Sequence, residues 1–420
     1  MERIRARYRI ETPYPLDEAA AAIAGEQSSG TFVDVPAETE SLQERHGATV
    51  EEITELETVE EPTLPGARTP AEIDDSDGYR RAEVVVSYPG ENVGTSLPNL
   101  VTTVGGNLFE LRHFSGLRLF DIDVPAALAD AYPGPQFGIE GTREIVDVYD
   151  RPLIGTIIKP SVGLSPAETG ELVGELLEAD LDFIKDDELI ASPPYSPVKD
   201  RVTAVMGAID SYRDETGNEV MYACNITGDV DEMLERHDAV VNAGGNCVMV
   251  SMNSVGLSAL TELRKHADVP IHAHRNGWGA LSRCPELGYE YQAYHQFFRL
   301  AGADQMHVNG IRNKFCESDE SVIKSAKAVQ TPIASDDDVA MPVFSSGQWA
   351  DQAADTHEAL GNVDLLYLAG GGILGHPDGP AAGVDHLKQG WEAAMKGIPL
   401  DEHAKDHQEL RVALDHYERR

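Results

Sequence analysis

A lysine and three carboxylates follow one another at the end of a mostly apolar run, residues 181–184. They are Lys185, Asp186, Asp187 and Glu188. In a β-strand, side chains two residues apart share a face, so Lys185 and Asp187 point one way and Asp186 the other. The amine and carboxylates could form a salt bridge at a solvated strand end. Alternatively, CO₂ could convert the amine to a carbamate, giving an all-oxygen site of the kind that Mg²⁺ prefers.

The composition is that of a globular protein with an unusual charge. Of the 420 residues, 41% are hydrophobic and 25% are charged, which indicates an ordinary core. Lys and Arg number 33 against 72 Asp and Glu, so the formal net charge is -39. Such a surface repels phosphate backbones and anionic membranes, which excludes nucleic-acid binding and membrane association. Concentrated salt would screen its self-repulsion, so we expect a halophilic protein; an acidic mesophilic protein is the alternative.

Neither the cysteines nor the N-terminus indicates a special compartment. The cysteines are single and widely spaced, without C-x-x-C, at Cys224, Cys247, Cys284 and Cys316. This spacing favours neither a zinc site nor a disulfide framework, and we interpret them as core thiols. Residues 1–5 form no signal-peptide core, and no apolar run is long enough to span a membrane. We expect a soluble, cytoplasmic protein.

The first third of the chain predicts a small α+β domain over residues 1–135. Strands are predicted at 3–12, 48–57, 82–88 and from Leu117, and helices from Leu16 and after Ser96. An acidic stretch at 58–78 is predicted to be an exposed loop. Because strands and helices do not strictly alternate here, the pattern is typical of an α+β arrangement.

From Leu153 onward, short apolar runs alternate with amphipathic helices. The eight runs are residues 153–159, 181–187, 220–226, 247–252, 270–274, 305–308, 341–345 and 363–369. One intervening helix, 167–180, is preceded by Ser165-Pro166-Ala167-Glu168, a capping-box sequence. Eight such units predict a (β/α)₈ barrel over residues 136–420 with a C-terminal helical tail. A doubly wound open sheet is the alternative.

Residues suited to catalysis lie at the ends of these runs or just after them, where barrel enzymes carry their chemistry. Besides the 185–188 cluster they are Lys159, His272, His274, Arg275, His307, Lys314, Ser346, Gly347, Gly370 and Gly371. The chain has only ten lysines and none before Lys159, so lysines at three strand ends indicate function. The glycines after the last two runs could expose backbone N–H groups to a phosphate.

Four segments, residues 155–165, 181–188, 272–275 and 369–377, resemble the RuBisCO large-subunit superfamily, and the likeness covers nearly the whole chain. The resemblance implies that Lys185 is carbamylated and holds Mg²⁺ together with Asp187 and Glu188.

The resemblance also implies roles for other side chains. The catalytic residues would be Lys159, Lys185, His274, the mobile-loop residue Lys314, and the N-terminal residues Glu26 and Asn107. Substrate and phosphate would bind to Thr31, Arg275, His307, Ser346, Gly347, Gly370 and Gly371. In the family, the N-terminal residues reach the barrel of a neighbouring chain, which implies a homodimer or an assembly of dimers.

Several positions depart from the carboxylating members. Ser161 stands where they have a second lysine, and Trp278 and Gln305 where they have histidines. Val308 replaces a serine and Gln348 a phosphate-binding glycine. These changes indicate a RuBisCO-like protein of the form IV kind that does not fix CO₂.

We therefore expect a Mg²⁺-dependent enzyme that forms an enolate from a phosphorylated keto sugar or keto sugar acid, with decarboxylation of a β-keto acid phosphate as the leading reaction. Enolisation or isomerisation, as in methionine-salvage relatives, is the first alternative. The next alternatives are carboxylation of ribulose bisphosphate and then non-catalytic binding of a sugar phosphate. A zinc hydrolase built on His272 and His274 is a further alternative, although few other ligands lie at matching strand ends.

Overall fold

The structure is a computed structural model that describes residues 2–30, 35–64 and 78–417. These residues form two compact units. The first comprises the chain up to Tyr132 together with Gly277–Leu300 and Ile333–Asp336. The second comprises Pro133–Asn276, Ala301–Pro332 and the residues from Asp337 onward.

Thirteen strands lie in the described residues: β1 Ile4–Thr12, β2 Thr49–Val59, β3 Tyr79–Tyr88, β4 Gly116–Asp123, β5 Leu153–Ile157, β6 Phe183–Lys185, β7 Met221–Asn225, β8 Cys247–Ser251, β9 Ile271–His274, β10 Leu287–Tyr289, β11 Gln305–His307, β12 Met341–Phe344 and β13 Leu366–Leu368.

The α-helices of the same residues are α1 Leu16–Glu26, α2 Glu40–His46, α3 Gly90–Val93, α4 Leu97–Val104, α5 Ala126–Ala129, α6 Gly138–Val146, α7 Pro166–Leu177, α8 Val198–Thr216, α9 Val230–Asn242, α10 Met252–His266, α11 Trp278–Ser282, α12 Tyr291–Leu300, α13 Asp319–Val329, α14 Ala353–Leu360, α15 Gly371–Leu374, α16 Pro380–Lys396, α17 Leu400–His403 and α18 Gln408–Tyr417. None of them is long and apolar enough to cross a membrane.

The first unit is built on a five-stranded sheet with the order β10-β4-β1-β3-β2. In β1, Ile4, Ala6, Tyr8 and Ile10 are buried, whereas the arginines between them are not, so the predicted period of two is confirmed. The other predicted strands and helices of this region are also present. Most of the predicted acidic loop, 65–77, lies outside the described residues.

One segment of this unit was not anticipated. The sequence-based boundaries, 1–135 and 136–420, divide the chain into two consecutive stretches, whereas Gly277–Leu300 belongs to the first unit. This segment joins the first unit because β10 pairs in parallel with β4, with Leu287 opposite Leu117. A three-residue strand carries too little periodicity to be recognised in the sequence.

The second unit contains a closed barrel with the strand order β5-β6-β7-β8-β9-β11-β12-β13. All its neighbouring strands are parallel, and each of the eight predicted runs contains one of them, so the barrel prediction is confirmed and the open sheet is wrong. Its core includes Leu153, Phe183, Met249 and Val343. Cys224 and Cys247 are core thiols as expected, but Cys284 is half-buried and Cys316 is exposed.

The helix after β5 begins as its sequence predicts. The Ser165 hydroxyl accepts a hydrogen bond from the Glu168 N–H, and the Glu168 carboxylate accepts one from the Ser165 N–H. This reciprocal cap satisfies backbone donors that the first turn leaves without partners. It places the loop of residues 158–165 between the barrel mouth and a defined helix start.

Candidate active site

Lys185 is the last residue of β6, and its side chain is fully buried. Phe183 belongs to the barrel core, so Lys185, two residues on, shares its inward face and lies nearer the carboxyl end. The Nζ atom donates to the Asp186 carbonyl at 2.7 Å. Burial lowers the pKa of Lys185, assisted by Lys159, while Glu188 and Asp187 oppose this shift. The fold therefore favours the neutral amine, the form that reacts with CO₂.

Asp186 points away from this amine, as the strand alternation predicts. Its Oδ2 lies 3.1 Å from the guanidinium of Arg201 and accepts the Asn225 N–H at 2.8 Å. Its Oδ1 accepts the Tyr222 hydroxyl at 2.6 Å. Because both carboxylate oxygens are engaged among buried groups, Asp186 anchors the strand end and is not a metal ligand in this arrangement.

Asp187 is paired with a lysine that follows the preceding barrel strand, β5. Nζ of Lys159 lies 2.5 Å from its Oδ2 and 2.8 Å from the Ser161 hydroxyl. Burial disfavours ionisation of Asp187, but the hydrogen bonds from Lys159 and from the Leu189 N–H outweigh it and lower the pKa of this carboxyl. Asp187 is therefore ionised at neutral pH.

Glu188 lies between two candidate catalytic groups. Its Oε2 is 3.9 Å from Nζ of Lys185 and 3.6 Å from Nε2 of His274. Two carboxylates and one buried amine thus converge after β6. Once the amine carries a carbamate, the set offers only oxygen atoms, which fits Mg²⁺.

Three histidines on β9 and β11 lie next to this cluster. The His274 and His307 ring centroids are 4.3 Å apart, and those of His272 and His307 are 4.8 Å apart. Burial lowers the pKa of all three, that of His274 to about 3. They are neutral at physiological pH, and a neutral imidazole can accept a proton.

A hydrogen-bonded chain sets the tautomers of two of them. Nδ1 of His272 donates to Oε1 of Gln305 at 2.9 Å, so its Nε2 accepts from Nε2 of His307 at 2.8 Å. Nδ1 of His307 then accepts the Ser345 hydroxyl at 3.2 Å. Gln305 was noted only as a departure from the carboxylases, and its part in orienting the histidines was missed. His272 is engaged in this chain and belongs to no group of three metal-ligand atoms among the described residues, which does not favour the zinc alternative.

Arg275, after β9, makes an ion pair that the sequence analysis also missed. Its Nη2 lies 2.5 Å from Oε2 of Glu317, and Asn309 donates to the same oxygen at 2.6 Å. Asn309 in turn accepts the Ser346 hydroxyl at 3.0 Å. Asn309 and Ser346 have positive φ angles of 64° and 73°, a backbone conformation that is uncommon outside glycine. Two predicted substrate residues are thus linked through Asn309 and Glu317.

The glycines after β12 and β13 border open space. A Cβ atom at Gly371 would meet nothing within 4 Å, and one at Gly370 only Ile157 at 3.9 Å. At Gly347 the nearest atom would be the Lys314 nitrogen at 4.0 Å. The room beside this backbone fits the predicted phosphate site.

The other predicted residues are Lys314, Glu26, Asn107 and Thr31. The Lys314 ammonium is exposed and lies 5.3 Å over the ring of Phe315, although its backbone N–H donates to the Ser346 carbonyl at 3.1 Å. Within the first unit, Nδ2 of Asn107 lies 3.5 Å from Oε1 of Glu26. Thr31 lies outside the described residues.

Together, the fold and the site define a class of enzyme. A closed (β/α)₈ barrel carries a buried lysine, two carboxylates, neutral histidines and open glycine loops at the carboxyl ends of its strands, an arrangement suited to stabilising an enolate of an anionic substrate.

Comparison with known proteins agrees with this class. Residues 138–417 match the catalytic domain of the ribulose bisphosphate carboxylase large chain, and residues 3–128 match its N-terminal domain. The chain belongs to the RuBisCO large-chain family, which confirms the resemblance.

Two sequence relatives are named for reactions of 3-oxo-isoapionate 4-phosphate. The chain is 51% identical to a 3-oxo-isoapionate-4-phosphate transcarboxylase/hydrolase of Xanthobacter autotrophicus, over 98% of this chain and 99% of the relative. It is 48% identical to a 3-oxo-isoapionate-4-phosphate decarboxylase of Rhizobium rhizogenes, over 98% and 97%.

Solved structures share the whole fold. A RuBisCO-like protein from Burkholderia fungorum superposes with a TM-score of 0.92 at 45% identity, over 99% of this chain and all of the other. A dimeric archaeal RuBisCO from Hyperthermus butylicus gives 0.83 at 31% identity, over 99% and 96%.

Proposed function

We propose that this protein is a Mg²⁺-dependent decarboxylase of a β-keto sugar-acid monophosphate, with 3-oxo-isoapionate 4-phosphate as the first candidate substrate. The observation that carries the proposal is the convergence of Lys185, Asp187 and Glu188 beside neutral His274. The names of relatives 51% and 48% identical over nearly the whole chain support the same reaction class, which the sequence analysis had favoured.

The chemistry requires a stabilised enolate. Mg²⁺ bound by carbamylated Lys185, Asp187 and Glu188 would polarise the keto oxygen and stabilise the negative charge that forms there. As the carbon–carbon bond to the carboxylate breaks, CO₂ leaves and the bonding electrons become those of the enolate. The enolate carbon must then gain one proton. The Lys159 ammonium, which lies 2.5 Å from Asp187 in this structure, can donate it and recover it from water.

The other site residues hold the substrate. We assign the phosphate to the open backbone at Gly347, Gly370 and Gly371, assisted by Thr31 of the N-terminal region. The opposite part of the substrate faces Arg275, His307 and Ser346. Lys314 would approach the substrate only when its loop moves, because its ammonium is exposed in this structure.

An assay of carbon–carbon cleavage tests the proposal. Enzyme preincubated with Mg²⁺ and bicarbonate should release CO₂ from 3-oxo-isoapionate 4-phosphate, and chelation of the metal should abolish release. Solvent deuterium exchange into phosphorylated ketoses tests the enolase or isomerase alternative, and fixation of labelled CO₂ onto ribulose bisphosphate tests the carboxylase. If either alternative substrate turns over while the keto acid phosphate does not, the decarboxylase assignment is wrong.

Hydrolytic removal of the carboxyl group is a second candidate, favoured by the 51% identical transcarboxylase/hydrolase. Addition of water to the carboxyl carbon would give bicarbonate as the first product, whereas decarboxylation gives CO₂. Following the first product in carbon-13 NMR, without carbonic anhydrase and on a timescale faster than hydration of CO₂, distinguishes the two reactions.

We propose that the active unit is a homodimer or an assembly of dimers, located in a cytoplasm of high salt. The dimeric relative from Hyperthermus butylicus supports the assembly. Glu26 and Asn107, which lie close together in the first unit, would complete the site of a neighbouring chain. The net charge of -39 supports the high-salt location.

A further inference from the structure

We propose that Glu317 is a specificity-determining residue, which cancels the charge of Arg275 and so selects substrates with one phosphate group against substrates with two. This inference rests on the proposed function of the barrel site, and it defines the substrate class more narrowly. It predicts that the Arg275 end of the cleft accepts hydroxyl or keto groups, while the phosphate binds at the glycines after β12 and β13.

The Arg275–Glu317 pair is buried and close. The side chains are 5% and 12% exposed, and Nη2 of Arg275 lies 2.5 Å from Oε2 of Glu317. Water screens a pair with so little exposure only weakly, so the carboxylate reduces the field of the guanidinium throughout its surroundings. A phosphate brought to this position would meet a net charge near zero instead of a cation.

Glu317 is held in place by several donors. Its Oε2 accepts from both Arg275 and Asn309, the latter at 2.6 Å, and its Oε1 accepts the Ser321 hydroxyl at 2.9 Å. Ser321 lies in the first turn of α13, so the carboxylate is fixed to a regular element. A phosphate that approached Arg275 would therefore lie beside a carboxylate that these donors hold in place, and the two anions would repel each other.

Three other basic side chains described at the barrel mouth do not replace Arg275. His307 is neutral because burial lowers its pKa. The Lys159 ammonium is paired with Asp187, and that of Lys314 is exposed over Phe315. The open backbone at Gly370 and Gly371 follows β13, which β11 and β12 separate from the β9 end that carries Arg275. The barrel mouth therefore has one end suited to an anion and one end whose charge is cancelled.

Binding of two probes tests the inference without requiring turnover. Enzyme with Mg²⁺ and bicarbonate is titrated calorimetrically with ribulose 1,5-bisphosphate and with ribulose 5-phosphate at constant pH and ionic strength. In Glu317→Gln, the affinity for the bisphosphate should rise by about tenfold or more, and that for the monophosphate by less than about threefold. The readout is the ratio of the affinity for the bisphosphate to that for the monophosphate, because a change that affects both ligands equally leaves this ratio unaltered.

Glu320→Gln is the matched control. Glu320 is exposed in the first turn of α13, just after Glu317. This variant makes the same charge change away from Arg275 and should leave the ratio of the two affinities unaltered. If Glu317→Gln does not fold, Arg275→Gln gives the complementary test. It leaves Glu317 without its cation, and the bisphosphate should lose at least about tenfold more affinity than the monophosphate.

The inference would be overturned if Glu317→Gln left the ratio of the two affinities unchanged. It would also be overturned if Glu317→Gln bound no bisphosphate up to about 5 mM. The outcome is independent of the reaction catalysed. A shifted ratio in an enzyme that does not cleave the keto acid phosphate would refute the proposed function alone. Cleavage with an unshifted ratio would refute only the role of Glu317.

Discussion

Nζ of Lys159 lies 2.5 Å from Oδ2 of Asp187, so a lysine that follows β5 neutralises one of the two carboxylates that would hold Mg²⁺. A metal ion bound to this oxygen would therefore compete with the lysine for it. Metal binding would release the ammonium that we propose as the proton donor. On this proposal, metal binding and the position of the proton donor are coupled.

Lys159→Met should separate metal binding from catalysis. Without the competing ammonium, Asp187 is free for Mg²⁺, so the affinity measured by calorimetry should be equal to or higher than that of the wild type. Decarboxylation should fall by about 100-fold or more because the proton donor is lost. Lys199→Met, an exposed lysine on α8, is the control and should change neither quantity. A marked loss of Mg²⁺ affinity in Lys159→Met would contradict this account.

Lys185→Met should abolish activation by CO₂. Burial lowers the pKa of this amine and favours its reactive neutral form, and methionine preserves the shape but cannot form a carbamate. Preincubation with carbon-13 bicarbonate and Mg²⁺ should give a carbamate signal in the NMR spectrum of the wild type and of Lys199→Met. The signal and at least about 99% of the activity should be absent from Lys185→Met. Full activity in this variant would exclude the carbamate.

The buried histidines should make the fold sensitive to acid. In the folded protein, burial holds the pKa of His272 and of His307 well below the value near 6.5 that both recover on unfolding. Below about pH 6.5 the unfolded chain binds protons that the folded chain does not. The free energy of unfolding therefore decreases as the pH is lowered, by up to about 1.4 kcal/mol per pH unit for each histidine. Above about pH 7.5 this contribution to stability is fully present.

Urea unfolding of the metal-free protein between pH 7.5 and 5.5 checks this slope. His272→Asn lowers stability at every pH, but its slope should be smaller than that of the wild type by one proton. His266→Gln changes an exposed histidine outside the buried group and serves as the control. Equal slopes in His272→Asn and the wild type would show that His272 does not cause the acid sensitivity.

Salt should stabilise the protein strongly. With a net charge of -39, the folded chain repels itself more than the expanded chain does. The Debye length falls from about 10 Å at 0.1 M to about 3 Å at 1 M salt, so the urea midpoint should rise across this range of KCl. Sucrose at equal osmolarity separates screening from osmotic effects. A midpoint that responds equally to both solutes would argue against charge repulsion.

Mixing two inactive variants tests whether sites are shared between chains. Glu26→Gln and Lys185→Met should each be inactive, since each alters one part of the proposed site. After subunit exchange, a mixed dimer contains one site with both parts intact and should recover up to about half the activity of a wild-type dimer. Exchange is verified by mass spectrometry. Verified exchange without recovered activity would show that each site is built within one chain.

The sequence by itself determined the eight barrel strands and the order of residues in the central cluster. Each of the eight apolar runs contains a barrel strand, and Ser165 caps the predicted helix, because periodicity and capping act between residues close in the chain. The same alternation predicted that Lys185 and Asp186 point in opposite directions, and Asp186 does point away from Lys185, toward Arg201 and Tyr222. These features follow from local backbone geometry, so a single sequence is enough to predict them.

Only the tertiary structure decided which distant side chains meet. Arg275 and Glu317 are 42 residues apart, and His272 and Gln305 are 33 apart, so no local pattern connects them. Their contacts depend on which strands are neighbours and on the path of the loop after β11, where Asn309 adopts a positive φ. The residue types show which side chains could form an ion pair. Whether two of them are close enough to do so depends on the tertiary structure, including the closure of the barrel.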